Sequence, residues 1–161
     1  MSKEVIRLPI DMSLRFWSDT IPLKDLTERV SSSVQFSHVP GKLMSERGVL
    51  SKRTAARYYV SLTSERTNDN DGVSKWINQI IFKLKSEAEI LELIKNGKIE
   101  CVIWIAILAC DRAPLINIKS DVLDFSSLIG FGILLEDYNN IDSNGESPKK
   151  IWLSKCASEK T

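Results

Sequence analysis

This chain has little of the side-chain chemistry on which enzymes and metal sites depend. It contains one histidine, His38, so any Ser-His-Asp, Cys-His or metal-ligand arrangement would have to use that imidazole. Its three cysteines show no Cys-x-x-Cys spacing, and Gly130 with Gly132 makes only a fragment of a phosphate-binding loop. We therefore expect a non-enzymatic protein with no catalytic residues, no metal site and no cofactor.

Long apolar runs and a large net charge are also missing. The longest apolar run, residues 101–110, is about half of the roughly 20 residues that a bilayer-spanning helix needs. The net charge of +1 gives no general attraction to nucleic acid or to an anionic membrane. No apolar segment typical of a secretory signal follows the first residues. These features predict a cytoplasmic protein whose cysteines, Cys101, Cys110 and Cys156, stay reduced.

Hydrophobic periodicity predicts one α+β domain with a mostly antiparallel sheet and helices packed on one face. Strands are expected at residues 10–18, 58–63, 101–109, 115–118 and 133–135, and helices at 22–31, at 74–96 and from 121. Residues 101–109 should form a central strand, 131–138 an edge strand, and 34–41 irregular chain. The domain should span residues 1–140. Residues 141–161 are expected to be a flexible extension with a short strand at 151–153, after a linker at 139–148.

The charged residues are segregated along the chain. Between residues 121 and 146 there are six acids and no lysine or arginine, whereas residues 42–57 carry five bases and one acid, Glu46. Both stretches are explained by solvated surface, but segregated charge can also steer a partner onto one face. The candidate partner-binding residues are four acids and two aromatic anchors: Glu136, Asp137, Tyr138, Asp142, Glu146 and Trp152. Nucleic-acid binding through residues 42–57 is less favoured, because that segment contains no recognisable motif.

A family resemblance follows from the order of these segments. Residues 14–30 resemble the opening strand and helix of the domain-of-unknown-function 4279 family. Pro40 and Gly41, followed by residues 58–64, resemble its turn and second strand. Residues 77–97, 99–107, 122–128 and 132–138 are similar to its second half in order and spacing. The resemblance covers roughly residues 12–138, implies a small bacterial cytoplasmic domain, and carries over no catalytic residue.

Two functional hypotheses remain open at this point. By analogy with other small bacterial α+β proteins, the first is an immunity or inhibitor protein. It would block the active site of one protein partner, a basic toxin domain such as a nuclease, with the acidic residues facing that site. The alternative is a small-ligand-binding or enzymatic domain with a pocket between helix and sheet.

Overall fold

The structure, a computed structural model, describes residues 9–30, 34–46, 49–54, 56–64, 66–109, 114–141 and 148–156. Its main sheet contains β1 (Ile10–Ser18), β2 (Val34–His38), β5 (Tyr58–Thr63), β6 (Glu100–Ile107), β7 (Gly132–Ile141) and β8 (Pro148–Ser154). A second, two-stranded sheet contains β3 (Leu43–Glu46) and β4 (Val49–Thr54). The helices are α1 (Lys24–Glu28), α2 (Asn70–Lys85), α3 (Ala88–Lys95) and α4 (Ser120–Ile129).

The main sheet is six-stranded, with the order β2-β5-β1-β6-β7-β8. Every neighbouring pair is antiparallel except β6 and β7, which run parallel and are connected through α4. The parallel pair follows from that helical crossover, because a parallel connection needs a segment of this length. The α+β class, the mostly antiparallel sheet and the central position of β6 are confirmed.

The main core lies on one face of the sheet. Alternate residues of β1, namely Ile10, Met12, Leu14 and Phe16, are at most 2% exposed and pack with the apolar side chains of the helices. A second, smaller cluster of Val102, Leu134 and Cys156 lies apart from this core, with three tryptophans packed against it. Because side chains alternate across a strand, the two clusters occupy opposite faces of the sheet.

The long helix predicted at residues 74–96 is two helices. α2 ends at Lys85, and α3 begins at Ala88 after Ser86 and Glu87. The break follows from the apolar pattern. Leu84 and Ile90 both face the core, but six residues of continuous helix would rotate them about 240° apart. The two-residue break restores a common inward direction. The first predicted helix, 22–31, is shorter than expected and spans Lys24–Glu28.

Three predictions about extended segments are wrong. Residues 34–38 form β2 rather than irregular chain, because they pair with the free edge of β5. Residues 115–118 form no strand, since they join no ladder. The stretch at 131–138 is not an edge strand, because β7 lies between β6 and β8. The strand expected at 151–153 is present within β8.

The expected linker at 139–148 contains the end of β7 and the start of β8. Its residues 142–147 lie outside the described part of the chain. The predicted domain boundary at residue 140 falls inside β7, and β8 pairs with β7 in the same sheet.

Candidate functional site

Side chains on the sheet surface opposite the helices form the most distinctive group in the structure. We call this surface the open face, because in the described ranges no helix packs on it. Strand alternation and the contacts below bring one set of residues together there: Ser13, Arg15, Trp17, His38, Tyr59, Val102, Trp104, Leu134, Glu136, Tyr138, Lys150 and Trp152. Aromatic and cationic side chains predominate in this set, which contrasts with the aliphatic core beneath the sheet.

A cation–aromatic cluster lies at the centre of the open face. The guanidinium carbon of Arg15 lies 3.8 Å from the centre of the Trp104 ring, and Lys150 Nζ lies 5.7 Å from it. Arg15 Nε donates a hydrogen bond to Ser13 Oγ at 3.0 Å, which holds the guanidinium over the ring. Trp104 on β6 is thus contacted from β1 and from β8, so three strands contribute to one cluster.

Aromatic rings continue toward the β2 edge. Trp17 and Tyr59 have ring centres 5.2 Å apart, and His38 lies 5.1 Å from Tyr59 on the next strand. His38 is therefore an aromatic neighbour on the open face. Among the described residues there is no group of three or more His, Cys, Asp or Glu side chains able to hold a metal ion.

A groove of about 320 Å³ lies on the open face between three tryptophans. Its lining is apolar at the centre and charged at the rim: Trp17, Val102, Trp104, Leu134, Trp152, Cys156, Glu100 and Lys150. Gly132 allows this packing, because a Cβ there would lie 2.9 Å from Trp152 Cζ3 and 3.1 Å from Cys156 Sγ. Gly132 is therefore a position of close packing against the ring of Trp152.

Glu136 differs from the exposed carboxylate that the sequence suggested. It is 6% exposed, and its carboxylate is near enough to Tyr138 to raise the pKa of that hydroxyl. Burial raises the pKa of Tyr138, and the neighbouring carboxylate of Glu136 raises it further, whereas nearby Arg15 lowers it. Glu136 is buried because β7 continues past it and β8 pairs with β7 on the other side.

The two adjacent acids point to opposite faces of the sheet. Asp137 lies on the helix side, where its Oδ1 accepts hydrogen bonds from Asn139 N at 2.9 Å and Asn139 Nδ2 at 3.2 Å. Of the six predicted partner-binding residues, the open face brings together Glu136, Tyr138 and Trp152. Asp142 and Glu146 lie outside the described residues.

Strand pairing also changes the charge pattern. Lys150 lies opposite Glu136 and Lys149 opposite Asp137 in the β7–β8 ladder. The stretch that contains no base along the sequence therefore has two bases beside it in space. At the basic segment, Arg57 forms ion pairs with Asp19 at 2.7 Å and Glu100 at 3.0 Å. The charge poles of the sequence are thus partly neutralised.

A second concave region lies beside the first turns of α2. This cleft of about 340 Å³ is lined by Met12, Ser64, Arg66, Thr67, Gly72, Lys75, Trp76 and Gln79. It is a depression between a helix and the ends of β1 and β5, which is the position expected for a helix–sheet pocket. No single predicted residue pointed to it, because its lining comes from three separate stretches of chain.

The comparisons with known proteins give one match. The family described as Domain of unknown function (DUF4279) matches residues 8–140, which is most of the chain. The chain belongs to the DUF4279 family. The resemblance drawn from the sequence is confirmed, over a slightly wider range. Comparisons with curated proteins and with solved structures returned no match. The DUF4279 match extends through most of β7, so Tyr138 lies inside it, whereas Lys150 and Trp152 lie beyond it.

Sequence reasoning missed the centre of the open face. The alternation of β1 identified its buried residues. The residues between them, Ser13, Arg15 and Trp17, point to the other face of the sheet and could have indicated a second surface. Trp104 lies in the apolar run that predicts a central strand, and a continuous apolar run does not distinguish one face of a strand from the other. In the part of the chain that the structure describes, no helix covers that side of β6, so Trp104 is half-buried on the open face.

Proposed function

We propose that this DUF4279 protein is a non-enzymatic protein-binding module whose contact surface is the open face. Within that class, we propose the narrower role of an immunity or inhibitor protein that blocks a bacterial toxin domain in the cytoplasm. The observation that supports binding is the concentration of tryptophan, tyrosine and arginine on one side of the sheet. These three residue types carry a disproportionate share of binding energy in protein interfaces.

The size of the open face supports a protein partner. Six strands about 4.8 Å apart and about seven residues long give a surface of roughly 600 Å². A standard protein–protein interface takes about 800 Å² from each partner. The open face with its rim approaches that area, and the tryptophan groove supplies a concave centre for an apolar anchor of the partner.

The charges of the open face modify the expected partner. The cations Arg15 and Lys150 lie beside the Trp104 ring, and Glu136 is the acid of the 121–146 stretch that the open face includes. Because lysines oppose the first two acids of the ladder, attraction of a basic toxin by the acidic segment should contribute less than the sequence suggested. We expect apolar contact in the groove to contribute most of the affinity for a basic toxin domain.

Binding to the product of the adjacent reading frame tests this proposal. The open-face variant combines Tyr138→Ala, at a side chain 42% exposed, with Lys150→Glu. The matched control combines Phe82→Ala and Leu128→Ala on α2 and α4, at side chains 75% and 74% exposed. Calorimetry should show at least about tenfold weaker binding for the open-face variant and less than about threefold for the control, since interface energy concentrates in central residues.

Cell survival provides the second readout of the same experiment. Wild-type protein should protect cells that express the adjacent gene product, and the open-face variant should protect them less. Circular dichroism should show that both double variants remain folded. Equal loss of binding in the two variants, or a larger loss in the control, would exclude the open face. Absence of binding to the adjacent gene product would remove the toxin-inhibitor role.

The alternative function, a small-ligand site between helix and sheet, has one specific observation in its favour. This is the cleft beside α2, where two cations and an aromatic ring line the same depression. The cleft does not include the open-face residues, so ligand binding there is compatible with protein binding.

A further inference from the structure

The cleft beside α2 is preformed by tight backbone contacts. Ile10 and Thr67 exchange both backbone hydrogen bonds, at 3.0 and 3.1 Å, which fixes the segment after β5 against β1. Thr67 lies so close to Gly72 that a Cβ on Gly72 would overlap its side chain. The Asp69 side chain caps α2 by accepting a hydrogen bond from Gly72 N at 2.9 Å. A ligand would therefore meet an existing shape rather than having to order one.

Two cations of the cleft form no ion pair with any residue that the structure describes. They are Arg66 and Lys75, and both are exposed. Arg29 and Arg57 differ, because each pairs with a carboxylate. No described acid lines the cleft. Guanidinium and ammonium groups that converge on one depression favour an anion, and guanidinium in particular matches the geometry of phosphate and carboxylate oxygens.

The rest of the lining suits a flat ligand body. Trp76 packs against the core and also lines the cleft, so part of its indole ring is fixed and part is available for stacking. Gln79, one turn further along α2, offers both amide donors and an acceptor. A volume of about 340 Å³ lies at the lower end of the range for small-molecule sites.

We propose that this cleft binds a small planar anion, an aromatic ring that carries a phosphate or a carboxylate. Arg66 and Lys75 contact the anionic group, Trp76 stacks on the ring, and Gln79 hydrogen-bonds to the ring edge. This site is separate from the open face and from the protein-binding role proposed above. If no ligand binds in the cleft, the proposal of protein binding through the open face is therefore unaffected.

Titration of the full-length chain with defined probes tests the site. AMP represents the aromatic phosphates and 4-hydroxybenzoate the aromatic carboxylates, with adenosine and inorganic phosphate as probes that lack one half of the ligand. We expect AMP or 4-hydroxybenzoate to bind. The affinity of the tighter-binding probe should exceed the affinities of adenosine and inorganic phosphate by at least about tenfold, because the ring contact and the anion contact both contribute. Binding that is as tight for adenosine as for AMP would overturn the anionic part of the proposal.

Variants locate the binding on the protein. Arg66→Ala with Lys75→Ala should weaken the tighter probe by at least about tenfold without lowering the melting temperature, since both side chains are exposed. The matched control, Lys83→Ala with Lys95→Ala, removes two exposed lysines outside the cleft and should change affinity less than about twofold. Equal effects of the two pairs, or no binding of either probe at millimolar concentration, would overturn the proposal.

Discussion

Replacement of Glu136 by lysine is the most direct test of how the open face is built. Glu136 is 6% exposed, raises the pKa of the neighbouring Tyr138, and lies across the ladder from Lys150. The adjacent residue, Asp137, lies on the other side of the sheet and is partly exposed. The same charge reversal at two neighbouring positions should therefore have very different consequences.

The magnitude follows from the contacts at each position. Glu136→Lys removes a carboxylate that is 6% exposed and places a third cation beside Arg15 and Lys150, so a buried charge loses its oppositely charged neighbours. We expect the free energy of unfolding to fall by about 3 kcal/mol. In a chain of 161 residues this corresponds to a melting temperature lower by about 6–12 °C. Asp137→Lys loses exposed hydrogen bonds from Asn139 and should cost about 1 kcal/mol or less, because the position is not in the core.

Urea unfolding followed by tryptophan fluorescence measures both values. Glu136→Gln is the conservative variant, because it keeps the shape of the side chain but removes the charge. It should fall between the wild-type protein and Glu136→Lys. If the two lysine variants unfold within about 0.5 kcal/mol of each other, Glu136 is not a buried partner of Tyr138, and the account of the open face is wrong.

Two further predictions concern the packing of the sheet and its buried thiol. Gly132→Ala should destabilise the protein by about 1–3 kcal/mol, because the new methyl group meets the Trp152 ring and Cys156; an unchanged urea midpoint would contradict this packing. Burial raises the pKa of the Cys101 thiol, so its contribution to stability is present below the unfolded-state pKa and is lost as pH rises above it. Unfolding free energies at pH 8, 9 and 10 should fall more steeply for wild-type protein than for Cys101→Ala, by roughly 1 kcal/mol per pH unit above about pH 9, and equal slopes would contradict the assignment.

Local patterns in the sequence determined several elements of this fold. β1 was predicted with its bounds because apolar and polar residues alternate along it, and β5 because it is rich in β-formers. A glycine in the sequence, Gly130, also marks the end of α4. Gly130 adopts a left-handed conformation with φ of 97°, which glycine tolerates at a helix terminus. These signals need no knowledge of distant residues, because each depends on geometry within a few positions.

The order of strands and the surfaces it creates were decided only by the tertiary structure. Residues 34–38 became a strand because β5 offered an unpaired edge, and β7 became an interior strand because β8 pairs with it. The same pairing brought Lys149 and Lys150 beside acids that are 12 to 14 residues distant. Strands pair through backbone N–H and C=O groups, which do not depend on the identity of the side chain. The sequence of one strand therefore does not determine which other strand it pairs with.

The position of the candidate sites depends on the same non-local step. The sequence contains Arg15, Trp104 and Lys150 at three distant positions with nothing to connect them, and the sheet places them within one cluster. The cleft beside α2 likewise forms where the end of β5 meets the start of a helix. Local periodicity specifies which side of its own element a side chain occupies. Only the packing of elements specifies which side chains from other elements lie on that side, and the chemistry of a site depends on these neighbours.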